Sequence, residues 1–266
     1  MKTKELFAIF GNPVKHSRSP LMHNYVFKKL HFKGCYTRIH LLDGAKLKET
    51  FFAQKLSGAN VTVPHKEDAF KACDEVRGFA KDIGVVNTLI NENGRLIGYN
   101  TDADGFLFAI EEFKNIQKVL IIGAGGTAKA LSMKLKSSGL EVSVLNRSKP
   151  NLEYFKNSGF ETFSWEDCPL CHYDLIVNTT SAGLSDENYP APLEILRPLL
   201  EKSSFAADAI YGKVTPFLKL CKDLNITYKD GADMLLGQGV LANNYFTKGR
   251  YTLEEIKEEM KKSFSF

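Results

Sequence analysis

A glycine-rich turn between two apolar runs constrains the fold of this chain more than any other feature. Residues 118 to 148 read KVLIIGAGGTAKALSMKLKSSGLEVSVLNRS, and Gly123, Gly125 and Ala128 occupy the three small-residue positions of the turn. The first glycine of such a turn permits a tight bend, the second lets the backbone approach a pyrophosphate, and the small third residue lets helix and strand pack closely. The segment therefore predicts a strand, a helix and a second strand of a doubly wound α/β sheet that binds a dinucleotide.

The residues after the second apolar run indicate which dinucleotide is bound. An NAD-binding unit usually carries Asp or Glu there, to accept hydrogen bonds from the ribose. This chain has no carboxylate there and offers Arg147, whose guanidinium would match a phosphate with two parallel hydrogen bonds. We therefore expect NADP(H), with Arg147 as a merely solvated loop charge as the alternative. The predicted cofactor-binding residues of the two turns are Gly123, Ala124, Gly125, Gly126, Thr127, Ala128, Asn146, Arg147, Ser148 and Lys149.

Composition excludes several classes of protein. The 266 residues are 44% hydrophobic and 25% charged, which is ordinary for a globular protein and long enough for two domains. The net charge of +4 comes from scattered lysines without a basic stripe, so we expect no nucleic-acid partner. Because no run approaches the roughly 20 apolar residues of a membrane span, we expect no membrane association.

Cysteine usage points to a reducing compartment and away from a metal site. The five cysteines are irregularly spaced, which suggests free thiols and a cytoplasmic protein. Cys168 and Cys171 form a CxxC pair, but no second pair or histidine set completes a zinc site. We therefore expect no metal.

The pattern of apolar runs predicts two α/β domains. About a hundred residues precede the glycine turn, with strands expected at 6–10, 35–42, 59–64 and 85–90, helices at 20–31, at 43–56 and, in two pieces, at 65–82, and a hairpin turn at Asn93-Gly94. A helix over 102–113 leads to the second half, where 174–183 and 205–212 read as buried strands and 233–247 and 252–262 as the last helices. We expect an N-terminal domain of residues 1–103, completed by returning helices at 238–266, and a dinucleotide-binding domain of residues 104–237.

Polar residues in the first domain stand at strand ends and turns, where α/β sheets place their ligand sites. Hydroxyls, amides, one amine and one carboxylate suit a polyhydroxylated substrate and proton transfer from an alcohol. The candidates are Ser17, Ser19, Asn60, Thr62, Lys66, Asn87, Asn100 and Asp102.

Structural alternatives stay open for several of these residues. Ser19 would serve as the N-cap of the first helix with Pro20 at its first position, and Asp102 as the N-cap of the helix at 102–113. Thr62 would be an ordinary strand residue and Asn87 a backbone-binding amide. Lys66 would be a solvated helix lysine.

Taken in order along essentially the whole chain, these motifs resemble the shikimate dehydrogenase family. The matching stretches are GNPVKHSRSP, NVTVPHK, GVVNTL, GYNTDADG, GAGGTAKA, NRS and the late TPF. The resemblance implies a substrate domain followed by a Rossmann NADP-binding domain, with the C-terminal helices returning to the first. It also implies NADP(H)-dependent interconversion of 3-dehydroshikimate and shikimate, a step of aromatic amino-acid biosynthesis, by a monomer or homodimer.

By this resemblance the candidate residues acquire roles. Ser17 and Ser19 would hold the substrate carboxylate, and Lys66 would be the catalytic lysine, paired with Asp102. Thr62, Asn87 and Asp102 would contact the ring hydroxyls, Tyr211 and Gln238 would be late substrate contacts, and Ile210 and Gly231 would be cofactor-side positions.

The chain departs from the family's pattern at three places. The segment GKVTPF lacks the proline that often precedes Thr-Pro in this family. In the helix predicted over 233–247, Asn243 and Phe246 stand where the family commonly has phenylalanine and tryptophan, which puts the packing of this helix in question. Lys149 is the nearest candidate for a second residue that binds the 2′-phosphate.

The expected chemistry is a hydride from NADPH and a proton from Lys66 to the developing alkoxide, with Asp102 orienting the lysine. The nearest alternative is a quinate or dual quinate/shikimate dehydrogenase of the same fold. A non-catalytic NADP-binding regulatory protein is an alternative of another class, against which the Lys66 and Asp102 pair argues. A folate-type dehydrogenase finds no support in the Ser17/Ser19 loop.

Overall fold

The structure, a computed structural model, describes residues 4–266 and divides into two compact units. Unit 1 comprises the described residues up to Gly105 together with Leu236–Phe266, and unit 2 comprises Phe106–Leu235. The sequence placed the corresponding boundaries at 103 and 238, and the functional roles of the two domains stay predictions. Within residues 4–266, no helix has both the length and the apolar character that a membrane crossing requires.

Strands and helices alternate along most of the described chain. The strands are β1 (Glu5–Gly11), β2 (Gly34–His40), β3 (Gly58–Val61), β4 (Glu75–Val76), β5 (Thr88–Glu92), β6 (Arg95–Tyr99), β7 (Lys118–Ile122), β8 (Glu141–Leu145), β9 (Glu161–Phe163), β10 (Leu175–Asn178), β11 (Phe205–Asp208) and β12 (Thr227–Lys229). The α-helices are α1 (Ser19–Lys29), α2 (Leu47–Ala53), α3 (Lys66–Ala72), α4 (Phe79–Ile83), α5 (Asp102–Ala109), α6 (Gly126–Ser137), α7 (Glu153–Asn157), α8 (Leu193–Glu201), α9 (Pro216–Asp223), α10 (Ala232–Phe246) and α11 (Leu253–Lys262).

Unit 1 contains a mixed sheet with the order β2-β1-β3-β5-β6-β4. β1 runs parallel to β2 and β3, whereas β5 runs antiparallel to β3 and β6. The predicted Asn93-Gly94 hairpin is confirmed, because both residues have positive φ angles (55° and 83°) and β5 and β6 pair on either side of them. One consequence for function is that the carboxyl ends of β3 and β6 and the start of β5 meet near the starts of α3 and α5.

Unit 2 contains a sheet with the order β12-β11-β10-β7-β8-β9, and each neighbouring pair is parallel. Counted from β7, this is the doubly wound order 3-2-1-4-5-6. The predicted fold class is confirmed. Because the strands are parallel, their carboxyl ends lie on one edge, and the glycine turn after β7 shares that edge with the Arg147 turn after β8.

The C-terminal helices return to unit 1, as predicted. α11 packs on α1, and Phe246 in α10 is 1% exposed with its ring centroid 4.9 Å from that of Phe7. Asn243 is fully buried and donates a hydrogen bond of 3.0 Å to Nδ1 of His23. Both departures from the family's pattern in α10 are therefore accommodated in the core of unit 1.

Several local predictions are wrong. The strands predicted over 174–183 and 205–212 end earlier, at Asn178 and Asp208. Ser19 does not cap α1, because Arg18 already has a helical backbone (φ −86°, ψ −8°) and moves the start of the helix one residue earlier. The predicted helix over 43–56 is a 3₁₀ turn at Gly44–Lys46 followed by α2. The predicted helix over 102–113 ends at Ala109, after which the chain tightens into a turn.

Candidate functional site

Lys66 and Asp102 form a nearly buried ion pair in unit 1. Each residue is the first of its helix, α3 and α5, and the Nζ to Oδ2 distance is 2.5 Å. The side chains are only 12% and 10% exposed, so the alternative of a solvated helix lysine is wrong. An ammonium held against a carboxylate with little water is a suitable device for proton transfer to a bound oxygen.

Neighbouring residues fix both members of this pair through their main chains. The amide of Val86 donates to the carbonyl of Lys66 at 3.1 Å. Oδ1 of Asn100 accepts from the amides of Asp102 and Ala103, at 3.0 and 3.4 Å, so Asn100 satisfies the start of α5. The alternative that Asp102 is the N-cap is therefore wrong, and its carboxylate is available to Lys66.

Asn87, which directly precedes β5, is hydrogen-bonded to Thr101, the residue before Asp102. It is 3% exposed, its Oδ1 accepts from the amide of Thr101 at 2.8 Å, and its Nδ2 donates to the hydroxyl of Thr101 at 3.0 Å. Asn60, at the third position of β3, donates from Nδ2 to the Asn87 carbonyl at 3.3 Å. The structure thus brings Asn60, Asn87 and Asp102 together, while their contacts with substrate stay predictions.

The Ser17 and Ser19 side chains converge in the loop before α1. Both residues are 4% exposed, and the Ser17 hydroxyl donates to that of Ser19 at 3.2 Å. Arg38, in β2, donates from Nε and Nη2 to the Ser17 carbonyl at 3.1 and 2.5 Å. Arg18 donates to the carbonyls of Ser263 and Phe266 at 3.2 and 2.9 Å. Both guanidinium groups thus bind main-chain oxygens and hold the loop, and the two converging hydroxyls are the groups that could donate to an anionic ligand.

Thr62 and Gln238 are the remaining predicted substrate residues of unit 1. Thr62 follows β3, is half-buried, and approaches Gly11 so closely that a Cβ on Gly11 would lie 2.4 Å from its methyl group. Gln238 is 8% exposed in α10. Tyr211, the predicted contact from unit 2, is half-buried in the segment after β11.

The glycine turn after β7 has the geometry that a pyrophosphate requires. Gly123 has φ of 117°, and a Cβ there would lie 2.6 Å from Oγ1 of Thr179. Apart from Gly125 itself and its two chain neighbours, no heavy atom of residues 4–266 lies within 4 Å of the position that a Cβ on Gly125 would take. α6 begins at the next residue and aims its positive dipole end at this space. Ala128, fully buried, packs α6 against the sheet. The residues present therefore fit a dinucleotide.

A cavity of about 810 Å³ lies beside this turn, within unit 2. Gly123, Asn146 and the exposed Arg147 contribute to its wall. Lys149 is also exposed, and its Nζ lies 2.7 Å from Oε2 of Glu166. The hydrogen bond with Glu166 raises the pKa of Lys149, so the lysine carries its charge but already has an anionic partner.

Asp208, at the end of β11, was not predicted, and it orders the segment that contains Ile210, one of the predicted cofactor-side residues. Its Oδ1 accepts from the amide of Ile210 and from Nδ2 of Asn178, both at 3.0 Å, and its Oδ2 accepts from the Thr215 hydroxyl at 2.7 Å. Burial raises the pKa of Asp208 to about 6, and these hydrogen bonds oppose that rise. The Gly231 amide in turn donates to the Ile210 carbonyl at 2.9 Å.

One sequence signal could have found Asn178 and Asp208. Each is the last residue of an apolar run that forms a buried parallel strand, DLIVN and FAAD. A polar residue at such a position lies on the ligand-binding edge of the sheet. Within the described residues, no group of three His, Cys, Asp or Glu side chains is placed to hold a metal ion.

Comparisons with known proteins identify one family, and the curated relatives align with nearly the whole chain. Residues 9–89 match the family described as shikimate dehydrogenase substrate binding domain. The chain is 46% identical over 260 residues to the shikimate dehydrogenase (NADP(+)) of Helicobacter hepaticus, covering 97% of each protein. It is 46% identical over 268 residues to that of Helicobacter pylori, covering 99% of this chain and 100% of the relative.

A solved structure also resembles the chain over nearly its full length. It is the shikimate 5-dehydrogenase of Thermus thermophilus in complex with NADP(H) and shikimate. The TM-score is 0.83 at 33% sequence identity, covering 97% of this chain and 99% of the other.

Proposed function

The chain belongs to the shikimate dehydrogenase family, and we propose that it is an NADP-dependent oxidoreductase that interconverts 3-dehydroshikimate and shikimate. This reaction is a step of aromatic amino-acid biosynthesis. Relatives named for the reaction align over nearly the full length, at 46% identity. The observation on this chain that carries the proposal is the Lys66–Asp102 pair, 2.5 Å apart and nearly buried in unit 1.

Lys66 and Asp102 perform the proton transfer in this proposal. NADPH supplies the hydride when bound. As the carbonyl of 3-dehydroshikimate becomes an alkoxide, the Lys66 ammonium donates a proton from Nζ to that oxygen. Asp102 accepts a hydrogen bond from the same Nζ and so orients the donor. In the oxidation of shikimate the proton returns from the hydroxyl to the Lys66 amine.

The remaining polar residues of unit 1 hold the substrate. The Ser17 and Ser19 hydroxyls bind its carboxylate, in a loop that Arg38 and Arg18 anchor through main-chain carbonyls. Hydroxyl groups on a ring require donors and acceptors at fixed positions, which amides and hydroxyls supply. The residues proposed to contact the ring substituents are Asn60, Thr62, Lys66, Asn87, Asp102, Tyr211 and Gln238.

The turns of unit 2 hold the cofactor. Gly123, Gly125 and the start of α6 receive the pyrophosphate, and Arg147 pairs with the 2′-phosphate of adenosine. Ile210 and Gly231 lie on the cofactor side of the segment that Asp208 orders. Lys149 joins Arg147 only if the 2′-phosphate displaces Glu166 from it.

Substrate and cofactor profiling tests this proposal. Purified protein is assayed for reduction of NADP and of NAD, with shikimate and with quinate. We expect shikimate with NADP to give the highest kcat/KM. Dominant quinate oxidation with NAD would favour a quinate dehydrogenase instead. Binding of NADP without turnover of either acid would favour a regulatory protein.

We also infer a cytoplasmic location and a monomer or homodimer. All five cysteines are free thiols in the structure, as expected in a reducing compartment. Sedimentation of the purified protein at several concentrations would determine the oligomeric state, and fractionation of cells would determine the location.

A further inference from the structure

We propose that Tyr36 and Thr88 are positioning residues of the substrate site, which hold its amide and hydroxyl ligands in one fixed hydrogen-bonding arrangement. Neither side chain is among the predicted ligands. The inference rests on the proposed function, because it assumes that the polar cluster of unit 1 binds the substrate.

Strand register places the two residues on either side of Asn60. Asn60 in β3 is the cross-strand partner of Thr88 in β5. Tyr36 lies in β2, opposite Phe7 of β1, and its side chain reaches past β1 to Asn60. All three residues are buried, with 3% exposure for Tyr36, 5% for Asn60 and none for Thr88.

The hydrogen bonds between them have a single consistent direction. The Tyr36 hydroxyl donates to Oδ1 of Asn60 at 2.7 Å, so Nδ2 of Asn60 must face the other way, where it donates to the Thr88 hydroxyl at 3.1 Å. The Thr88 hydroxyl then donates its own proton to Oδ1 of Asn87 at 3.0 Å. Because a phenol has one proton and a threonine hydroxyl has one, each donor determines the orientation of the next group.

Both ends of this chain of hydrogen bonds reach predicted ligands. At one end, Oδ1 of Asn87 also accepts from the amide of Thr101, which precedes Asp102. At the other end, the Ser19 side chain is one of the groups whose hydrogen bonding acts to lower the pKa of Tyr36. Burial raises the pKa of Tyr36 well above its usual value, against the opposing hydrogen bonds of Asn60 and Ser19, so Tyr36 keeps its proton. The network therefore joins the serine loop to the segment that carries Asp102.

His23 packs against the ring of Tyr36 and restricts its movement. The two rings stack with centroids 4.5 Å apart and 13° between their planes. Burial lowers the pKa of His23 to about 3, with Asn60 acting in the opposite direction, so the imidazole is neutral at physiological pH. Asn243 donates to its Nδ1 at 3.0 Å. Tyr36 is thus held by packing, and its hydroxyl has little freedom to point elsewhere.

The substitution Tyr36→Phe, which removes only the hydroxyl group, tests the inference. Tyr36→Phe keeps the ring and its stacking but leaves Oδ1 of Asn60 without its donor, so Asn60 can rotate. We expect the KM for shikimate to rise about tenfold, while the KM for NADP stays unchanged. The matched control is Tyr251→Phe, which removes a hydroxyl of the same unit that donates to the Leu30 carbonyl at 2.6 Å outside this network. Tyr251→Phe should leave the KM for shikimate unchanged even if it lowers the melting temperature.

Thr88 provides a second test, in which one substitution removes the hydroxyl and another keeps it. Thr88→Val removes the hydroxyl and keeps the shape, so it should raise the KM for shikimate by a similar factor. Thr88→Ser retains the hydroxyl and should remain within about twofold of the wild type. This pair keeps the inference testable if Tyr36→Phe does not fold.

The outcomes separate the inference from the proposed function. A wild-type protein that does not turn over shikimate contradicts the proposed function before any variant is compared. With an active wild type, an unchanged KM in both Tyr36→Phe and Thr88→Val overturns the inference, as does an equal rise in Tyr251→Phe. A rise confined to the network variants, reversed in Thr88→Ser, supports it.

Discussion

The two units build their candidate sites in contrasting ways. In unit 1 the polar groups are buried side chains that hydrogen-bond to one another, from Tyr36 through Asn60 and Thr88 to Asn87. In unit 2 the turn at Gly123 and Gly125 offers main-chain groups beside a cavity, and its cation Arg147 is exposed. A buried network makes its members depend on one another, whereas exposed charges and backbone act separately. Substitutions should therefore be coupled within unit 1 and independent in unit 2.

The largest effect should come from the ion pair of unit 1. Lys66→Met keeps the length of the side chain and removes the proton donor, so turnover should fall by about 10² to 10⁴ while NADPH affinity stays unchanged. Steady-state kinetics and calorimetric titration of NADPH measure the two quantities. The double variant with Asp102→Asn should lose much less than the sum of the two single losses, because paired residues act as a unit. A Lys66→Met protein with most of its turnover would refute the role.

Unit 2 offers a pH test of its own buried carboxyl. Burial raises the pKa of Asp208 from 3.8 to about 6, so its favourable contribution to stability is complete below about pH 4 and is lost as the pH rises through 6. Asp208→Asn cannot ionise and should lack this loss. Between pH 4 and 7 the free energy of unfolding of the wild type should therefore fall relative to the variant by on the order of 3 kcal/mol.

The fluorescence of Trp165, which lies in unit 2 and is the only tryptophan of the chain, reports that unfolding. Urea titrations of both proteins at several pH values provide the measurement. A constant difference between the two proteins across this pH range would show that Asp208 does not titrate there.

Arg147 tests whether the residues of unit 2 act independently, because it should contribute to the binding of NADP and not to that of NAD. Its hydrogen bonds to a 2′-phosphate would be worth roughly 1.5 to 3 kcal/mol, or about ten- to a hundredfold in binding. Arg147→Ala should weaken NADP by that factor and leave NAD nearly unchanged, as measured by titration of each cofactor. Lys149→Ala is a suitable comparison, with a smaller loss, since Lys149 already pairs with Glu166. Equal losses for NADP and NAD would mean that Arg147 supports the fold instead.

Ser17 should give the smallest of these effects. Ser17→Ala removes one of two hydroxyls proposed for the substrate carboxylate and should raise the KM for shikimate about three- to tenfold, with a smaller change in kcat. The control ligand is a shikimate analogue without the carboxylate, whose affinity the substitution should not change. An analogue that bound the wild type as well as shikimate does would disprove the assignment.

The sequence predicted unit 2 better than unit 1, for a physical reason. A parallel strand, a glycine turn and a helix are local features, so GAGGTA and NRS identify their own positions at the edge of the sheet. Lys66 and Asp102 were predicted as a pair through the family resemblance, and their 2.5 Å contact follows from the order of the strands. Tyr36 and Thr88 were missed because nothing local distinguishes them from ordinary strand residues.

Helix ends were the other source of error. Ser19 before Pro20 has the composition of an N-cap, yet Arg18 is the N-cap, Ser19 is the first residue of α1, and the Ser17 hydroxyl accepts a hydrogen bond from the Ser19 amide at 3.3 Å. Long-range hydrogen bonds of two arginines shape that loop. Arg18 donates from the loop to the Ser263 carbonyl near the C-terminal end of the described chain, and Arg38 donates from β2 to the Ser17 carbonyl. Such contacts between remote parts of the chain leave no periodic signal.

Unit 1 is proposed to recognise the substrate and unit 2 to recognise the cofactor, each independently of the other. This independence is tested most directly by a double-mutant cycle with Ser17→Ala, Arg147→Ala and their combination, in which kcat/KM is measured with shikimate and NADP. Since each residue is proposed to act on a different ligand, the two free-energy losses should add within about 0.5 kcal/mol. A coupling energy above about 1 kcal/mol would contradict the account, because it would mean that substrate and cofactor recognition are not separately built.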